Sequence, residues 1–208
     1  MRADRFGRDE HELSRSELSD ASRVASRAFF DDPFFRYLLP TDVQRSKGLE
    51  YVFRTTLAHL GPRGQTVTAR DEDRIVGVAA WLPPNCYPQP VATQLAQIPG
   101  TVRGLIRRPR ALREGSVYMR SAARTHSREP FWYLLLLAVE PSLQRSGVGT
   151  MLLEPTLAQV DAEGAPSHLE TQKEENLTYY RRFGYDLYST LKPVPEGPAL
   201  YMMWRPPH

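Results

Sequence analysis

The sequence predicts an α/β protein built on one sheet of mixed strand directions, and three stretches carry that prediction. Residues 131–139, FWYLLLLAV, form an unbroken apolar run, which is how a central strand buried on both faces reads. Residues 65–84, QTVTARDEDRIVGVAAWLPP, alternate and are β-branched on both sides of an acidic turn, the pattern of a hairpin. After the central run, strand, helix, strand, helix and hairpin signals follow one another, and that order builds an α/β sheet.

In chain order, residues 12–30 set Leu13, Leu18, Val24, Ala28 and Phe29 among polar residues in a helical rhythm, with Ser19 and Asp20 available as caps. DDPFFRYLLP then breaks the helix. Its two prolines bracket Phe34, Phe35 and Tyr37, which either line a pocket or close one end of the core. A second helix is expected over 43–60, stopped by Gly61-Pro62. The hairpin strands fall near 66–70 and 75–82, and Pro83 ends them. Residues 83–130 carry prolines at 83, 84, 88, 90, 99 and 109 between short helical patterns, and read as an irregular helical excursion over one face of the sheet. Beyond the central strand, Leu153, Leu157 and Val160 face the core at helical spacing, and Pro155 removes one backbone donor from that helix. SHLET is the next short strand, EENLTYYRRFGY a short helix stopped by Gly184, and the C-terminal stretch a hairpin with its turn near 195–197. No internal repeat or linker divides the chain, so one domain over 1–208 is expected.

Composition narrows the function classes. With 41% hydrophobic and 25% charged residues the chain is an ordinary globular protein and not a disordered one. No stretch approaches the roughly 20 apolar residues of a membrane span, and MRADRFGRDEHELSRSELSD is too charged for the apolar core of a secretory signal. A cytoplasmic protein without a membrane partner is expected. Cys86 is the single cysteine, so no intrachain disulfide forms. The histidines at 11, 59, 126, 168 and 208 lack metal-ligand spacing, and no metal is expected. Of 27 basic residues 24 are arginine, and 103–128 holds eight of them against Glu114 alone. Without a nucleic-acid motif beside it, that stretch reads as a solvated helical face, and no nucleic-acid partner is expected.

One loop carries chemistry. QRSGVG, residues 144–149, lies where the central strand turns into a helix. The first N–H groups of a helix have no intrahelical partner and the helix dipole adds partial positive charge, so such a turn receives anions. Gly147 and Gly149 let main chain approach closely, while Arg145, Ser146 and Thr150 add donors. Neither a GxxxxGK[ST] loop nor a GxGxxG fingerprint is present. The bland alternative is glycine for tight packing of strand on helix.

LAVEPSLQRSGVGTMLL resembles the pattern V-x-P-x-x-Q/R-x-x-G-x-G/A of the GCN5-related N-acetyltransferases (GNAT), and LETQKEENLTYYRRFGY resembles that superfamily's next strand and helix. From Glu129 onward EPFWYL, the proline in the helix and PVPEGP are similar to the puromycin N-acetyltransferases within it. The resemblance implies a single-domain GNAT fold, with a mixed central sheet, helices on both faces and a helical excursion near the acceptor site. It implies a cofactor core over about 131–190 and acetyl-coenzyme A as acyl donor. It implies direct attack by the amine of a small molecule, an aminonucleoside or antibiotic-like compound, in a ternary complex.

Residue roles follow from the same resemblance. Pantetheine would run beside Leu137 and Val139, pairing with their backbone. Gln144, Arg145, Ser146, Gly147, Val148, Gly149 and Thr150 would hold the pyrophosphate, and Asn176 the pantetheine arm. Tyr180 would protonate the leaving thiolate; its neighbour Tyr179 points about 100° away on a helix. Glu170 would be the general base, or else a hydrogen-bonding residue at the strand end. His168 stands where phenylalanine is usual, as a packing residue. Phe34, Phe35, Tyr37 and Trp81, in regions of weak similarity, are expected to line the acceptor pocket. The rival from another class is a non-catalytic acyl-coenzyme A-binding module, against which Tyr180 and Glu170 together argue. Acetylation of a protein N-terminus or lysine stays open.

Overall fold

The computed structural model describes residues 6–60, 63–88, 99 and 109–207. One seven-stranded sheet organises them, in the order β1-β2-β3-β4-β5-β7-β6. Its strands are β1 (Gly7–Glu10), β2 (Gln65–Asp71), β3 (Arg74–Leu82), β4 (Trp132–Val139), β5 (Ser167–Thr171), β6 (Asp186–Leu191) and β7 (Leu200–Arg205). Only β4 and β5 run parallel; every other neighbouring pair is antiparallel. The mixed α/β sheet is the one the sequence predicts.

Six helices accompany it among the described residues: α1 (Arg15–Ala28), α2 (Pro33–Leu38), α3 (Asp42–Ala58), α4 (Pro109–Thr125), α5 (Val148–Ala162) and α6 (Glu175–Arg181). α1 starts earlier than Ser19 or Asp20 would place it. Ser14 is the cap, and Glu17 three residues on closes a reciprocal capping box, which satisfies two donors at once. α2 arises inside the break because Asp32 accepts from the Phe34 amide and Pro33 occupies the first turn. Thr41 and Gln44 cap α3 in the same way. The excursion contains α4, which buries Ala111, Tyr118 and Ala122 and exposes Arg113, Arg120 and Arg124. The rest of the arginine-rich stretch, 103–108, lies outside the described residues, as do Gly61 and Pro62.

The core has two main bodies. Trp132, Leu134, Leu152, Leu153, Leu157, Val160, Leu169 and Tyr185 pack α5 and α6 on the sheet. Val24, Ala25, Leu49, Phe53, Val78, Ala80, Leu136 and Ala138 pack α1 and α3 on it. Gly77 lets the first turn of α5 lie on β3, since a Cβ there would stand 2.8 Å from Leu152 Cδ1 and 3.1 Å from Val148 Cγ1.

Two irregularities of β4 matter for the site. Ala80 pairs with Leu136 but Trp81 with Leu134, so Leu135 is an extra residue, a bulge. The bulge resets the alternation, and Leu137 and Val139 therefore join the cluster that Trp132 and Leu134 belong to. Pairing with β5 covers only Trp132, Tyr133 and Leu134, opposite Ser167, His168 and Leu169. Beyond Leu134, β4 pairs with β3 alone and the central strands part.

Candidate active site

The parting strands, the loop after β4 and the start of α6 enclose a cavity of about 660 Å³, within the usual size of a small-molecule site. Nine of the ten residues assigned to the cofactor line it: Leu137 and Val139 from β4, Gln144, Arg145, Ser146, Gly147, Gly149 and Thr150 from the loop and α5, and Asn176 from α6. Tyr180 lines it too. Val148 does not, because its side chain points into the core and is fully buried; its place in the loop leaves only its backbone to serve a ligand.

The loop leads directly into α5, whose first amides have no intrahelical partner. A short 3₁₀ turn, Pro141–Leu143, follows β4, and the Ser146 hydroxyl donates to the Leu143 carbonyl at 2.6 Å. Arg145 and Gly147 both have positive φ, 63° and 97°. Gly147 is the N-cap residue of α5, and no side chain caps that helix. The residues most suited to crowding the helix start are thus replaced by a glycine that L residues with a Cβ imitate poorly. Arg145, Lys173 and Arg182 surround the cavity, an excess of cations over Asp32 and Glu175 that suits a polyanion.

Several lining residues were not signalled by the sequence pattern. Ala28, Phe29 and Asp32 come from the end of α1 and the turn into α2. Arg27 clamps this region to the end of β4, its Nε 2.9 Å and Nη2 2.7 Å from the two Glu140 oxygens. Asp32 is buried, and burial raises its carboxyl above the ordinary value while its bond from the Phe34 amide opposes the shift. Asn176 donates to the Thr171 hydroxyl at 3.0 Å, tying α6 to the end of β5.

Tyr179 and Tyr180 have different surroundings, as helical spacing requires. The Tyr180 ring packs among core residues and reaches Tyr185 at 6.1 Å, and burial pushes its phenol well above the ordinary value. It is therefore protonated at neutral pH, the state a proton donor needs. Tyr179 places its hydroxyl over the start of α5, against Gly149, with Arg182 stacked 5.7 Å from its ring.

The acceptor residues do not form one wall. Trp81 is fully buried in the core beneath α5, on the side of the sheet away from α2, so it lines no pocket. Phe35 packs against Phe29 and Phe53, Phe34 against Tyr118, and the Tyr37 hydroxyl donates to Glu114 at 2.8 Å. These rings close the end of the core under α1 and α3. Strand alternation accounts for the burial of Trp81: it shares the α5 face with Ala79, while Val78 and Ala80 turn to α1 and α3, and the sequence shows its proximity to a variable loop but not which face of the sheet it takes.

Glu170 also stands outside the 660 Å³ cavity. It faces the other side of β5 from Leu169 and Thr171, beside His126 and Tyr133.

Residues 26–185 match the model of the acetyltransferase (GNAT) family. The chain belongs to that family. It is an N-acetyltransferase, and acetyl-coenzyme A is its acyl donor. It is similar to a crystal structure from Corynebacterium glutamicum described as histone acetyltransferase HPA2 and related acetyltransferase, at 25% identity and TM-score 0.70, with 97% of each chain covered. The fold is shared by arylalkylamine N-acetyltransferase 2 of Aedes aegypti, at 12% identity and TM-score 0.62 over 96% of this chain and 99% of that one. It is shared as well by PaiA N-acetyltransferase of Thermoplasma acidophilum in complex with coenzyme A, at 10% identity and TM-score 0.57 over 96% and 99%.

Proposed function

We propose that this acetyltransferase acetylates the primary amine of a small molecule, of aminonucleoside or antibiotic-like type, by direct attack on the thioester in a ternary complex. The observation that carries this reading is the contact between α4 and the β6–β7 turn, where the Tyr118 hydroxyl donates to the Pro198 carbonyl at 2.6 Å with Gly197 beside it. A turn held against that helix would leave less room for an extended peptide than an open groove does, which favours a compact acceptor.

In this reading the Arg145–Thr150 backbone and the Arg145 and Ser146 side chains hold the pyrophosphate. The free edge of β4 at Leu137 and Val139 pairs with pantetheine, and Asn176 steadies its arm. A backbone N–H near Leu137 meets the developing oxyanion, and preorganised donors of this kind commonly supply more of the rate enhancement than any other single effect. Tyr180 gives a proton to the leaving sulfur. Cys86 lies apart from the cavity, so no acyl-enzyme is invoked. Phe34 stays a candidate wall of the acceptor site through its contact with Tyr118; Trp81 is withdrawn. The whole chain acts as one domain with its cofactor core over 131–190, and works in the cytoplasm. Among the described residues no helix is long and apolar enough to cross a membrane.

Thiol release from acetyl-coenzyme A over a panel of amines tests the reading. The panel holds puromycin, tryptamine, spermidine and, because the Corynebacterium relative's description names a histone, a histone-tail peptide. Turnover with a small amine at least tenfold above the peptide supports it. Turnover with the peptide alone overturns it.

A further inference from the structure

Glu170 is the first residue of β5 beyond its last pair with β4. It therefore stands where the central strands part, on the face opposite the α5 core. There it meets a histidine that no sequence pattern marks. His126, one residue past the end of α4, brings Nε2 to 2.5 Å from Glu170 Oε1. The His126 side chain is 4% exposed and that of Glu170 15%. An ionised carboxylate only accepts hydrogen bonds, so the His126 proton belongs on Nε2 and a lone pair is left on Nδ1. That Nδ1 is buried and has no hydrogen-bond partner among the described residues. A buried polar atom without a partner costs about 1–3 kcal/mol, and a chain that needed only packing here would be served by phenylalanine.

The groups facing His126 are few. The rings of Tyr87, Tyr133 and His168 lie 4.6, 5.7 and 4.5 Å from its own, and Phe131 lies at 5.7 Å. Tyr188 of β6 contacts His168 Nε2 at 3.1 Å. Burial, with His126 beside it, holds the His168 imidazole down to about 2. His168 stays neutral, and of the two imidazoles only His126 bonds the carboxylate.

His126, His168 and Glu170 also have donor atoms within 4.8 Å of one another, as a metal site would. Distance separates the two readings. Two ligands of one tetrahedral zinc ion at about 2.0–2.1 Å from the metal stand about 3.3 Å apart. The 2.5 Å contact is instead that of a charge-assisted hydrogen bond.

We propose that His126, oriented by Glu170, is the general base that deprotonates the acceptor amine; the proposal rests on the acetyl-transfer reading above. Nδ1 takes one proton from the ammonium and later releases it to solvent, while Nε2–H stays bonded to Glu170. The freed nitrogen lone pair attacks the thioester carbon. As the C–N bond forms the C–S bond breaks, and the sulfur leaves with a proton from Tyr180. The second proton lost by the nitrogen restores the phenol, so the net products are amide, thiol and one proton. Glu170 becomes a positioning residue and His126 the catalytic one.

Histidine-labelled NMR, acetyl-coenzyme A calorimetry and turnover of puromycin and tryptamine across pH test this on the parent, His126→Gln and Glu170→Gln. His126→Gln keeps an amide to bond Glu170 but has no base. The expected result is an Nε2–H tautomer for His126 in the parent that Glu170→Gln no longer fixes. kcat falls about 10²–10⁴-fold in His126→Gln, with acetyl-coenzyme A binding unchanged and the acid limb of the pH profile lost. An Nδ1–H tautomer overturns the proposal, as does parental turnover by His126→Gln. So does activity that chelation removes and zinc restores. If His126→Gln does not fold, the tautomer in the parent decides. Failure of the parent to bind acetyl-coenzyme A would sink the acetyl-transfer reading instead, so the two failures are distinct.

Discussion

Gly149→Ala tests the contact between α6 and the cofactor loop. A Cβ at position 149 stands 2.7 Å from the Tyr179 hydroxyl oxygen, 3.5 Å from Tyr179 Cζ and 3.8 Å from Val139 Cγ2. Ordinary contact begins at 3.4 Å, so the methyl must push the hydroxyl back by about 0.7 Å. Overpacking of this kind costs about 1–3 kcal/mol, while alanine for glycine in a helix offsets about 0.5–1 kcal/mol of it. The net expectation is a loss of about 0.5–2 kcal/mol, or a few degrees of Tm in a chain of this size. Removing the oxygen changes the sign. In a Tyr179→Phe background the new methyl meets only Cζ, at an ordinary distance, so Gly149→Ala becomes neutral or stabilising by about 0.5–1 kcal/mol. Urea unfolding of the four proteins measures the coupling, expected at about 1–3 kcal/mol. Equal effects of Gly149→Ala in both backgrounds would refute the placement of Tyr179 over the loop.

Three further outcomes follow from the same geometry. Gly147→Asp puts a Cβ and a carboxylate into a φ of 97° facing the pyrophosphate site. The thermal shift that acetyl-coenzyme A gives the parent, RT ln(1 + [L]/Kd) in stability, is expected to vanish in a differential scan. Tyr180→Phe is expected to lower kcat by up to about 10²–10⁴-fold with acetyl-coenzyme A affinity retained, whereas Tyr179→Phe costs little; steady-state kinetics with free coenzyme A release checks both. Bonds from Ser14, and then His11, hold the Glu17 carboxyl down to about 2 against an ordinary 4.5. A depressed carboxyl stabilises above its unfolded value and loses that contribution as pH falls through the folded one. Glu17→Gln is therefore expected to be less stable than the parent at pH 7, the gap narrowing from pH 4.5 toward 2 in urea titrations.

What the sequence carried and what it withheld have physical causes. The run over 131–139 announced its strand because burial on both faces demands apolar residues throughout, and the loop over 144–150 is legible because a positive φ at 147 and a close approach at 149 call for glycine. The exposed strand β1, GRDE, has no apolar alternation to show. The bulge at Leu135 leaves no mark in a run of four leucines, yet it decides which side chains of β4 meet α5. Asp32, Phe29 and His126 reach their sites from segments distant in the chain. No local spacing encodes an encounter between residue 126 and residue 170, which only the packing of α4 against β6 and β7 brings about.

On the proposed reading the unpaired stretch of β4 and the uncapped start of α5 hold the acyl donor with its thioester between Leu137 and Tyr180. A crystal structure of the protein with acetyl-coenzyme A tests it most directly. The pyrophosphate is expected against the Arg145–Thr150 amides and the thioester sulfur within hydrogen-bond reach of the Tyr180 hydroxyl. A pyrophosphate bound elsewhere, or a thioester turned away from Tyr180 with the loop empty, would contradict it.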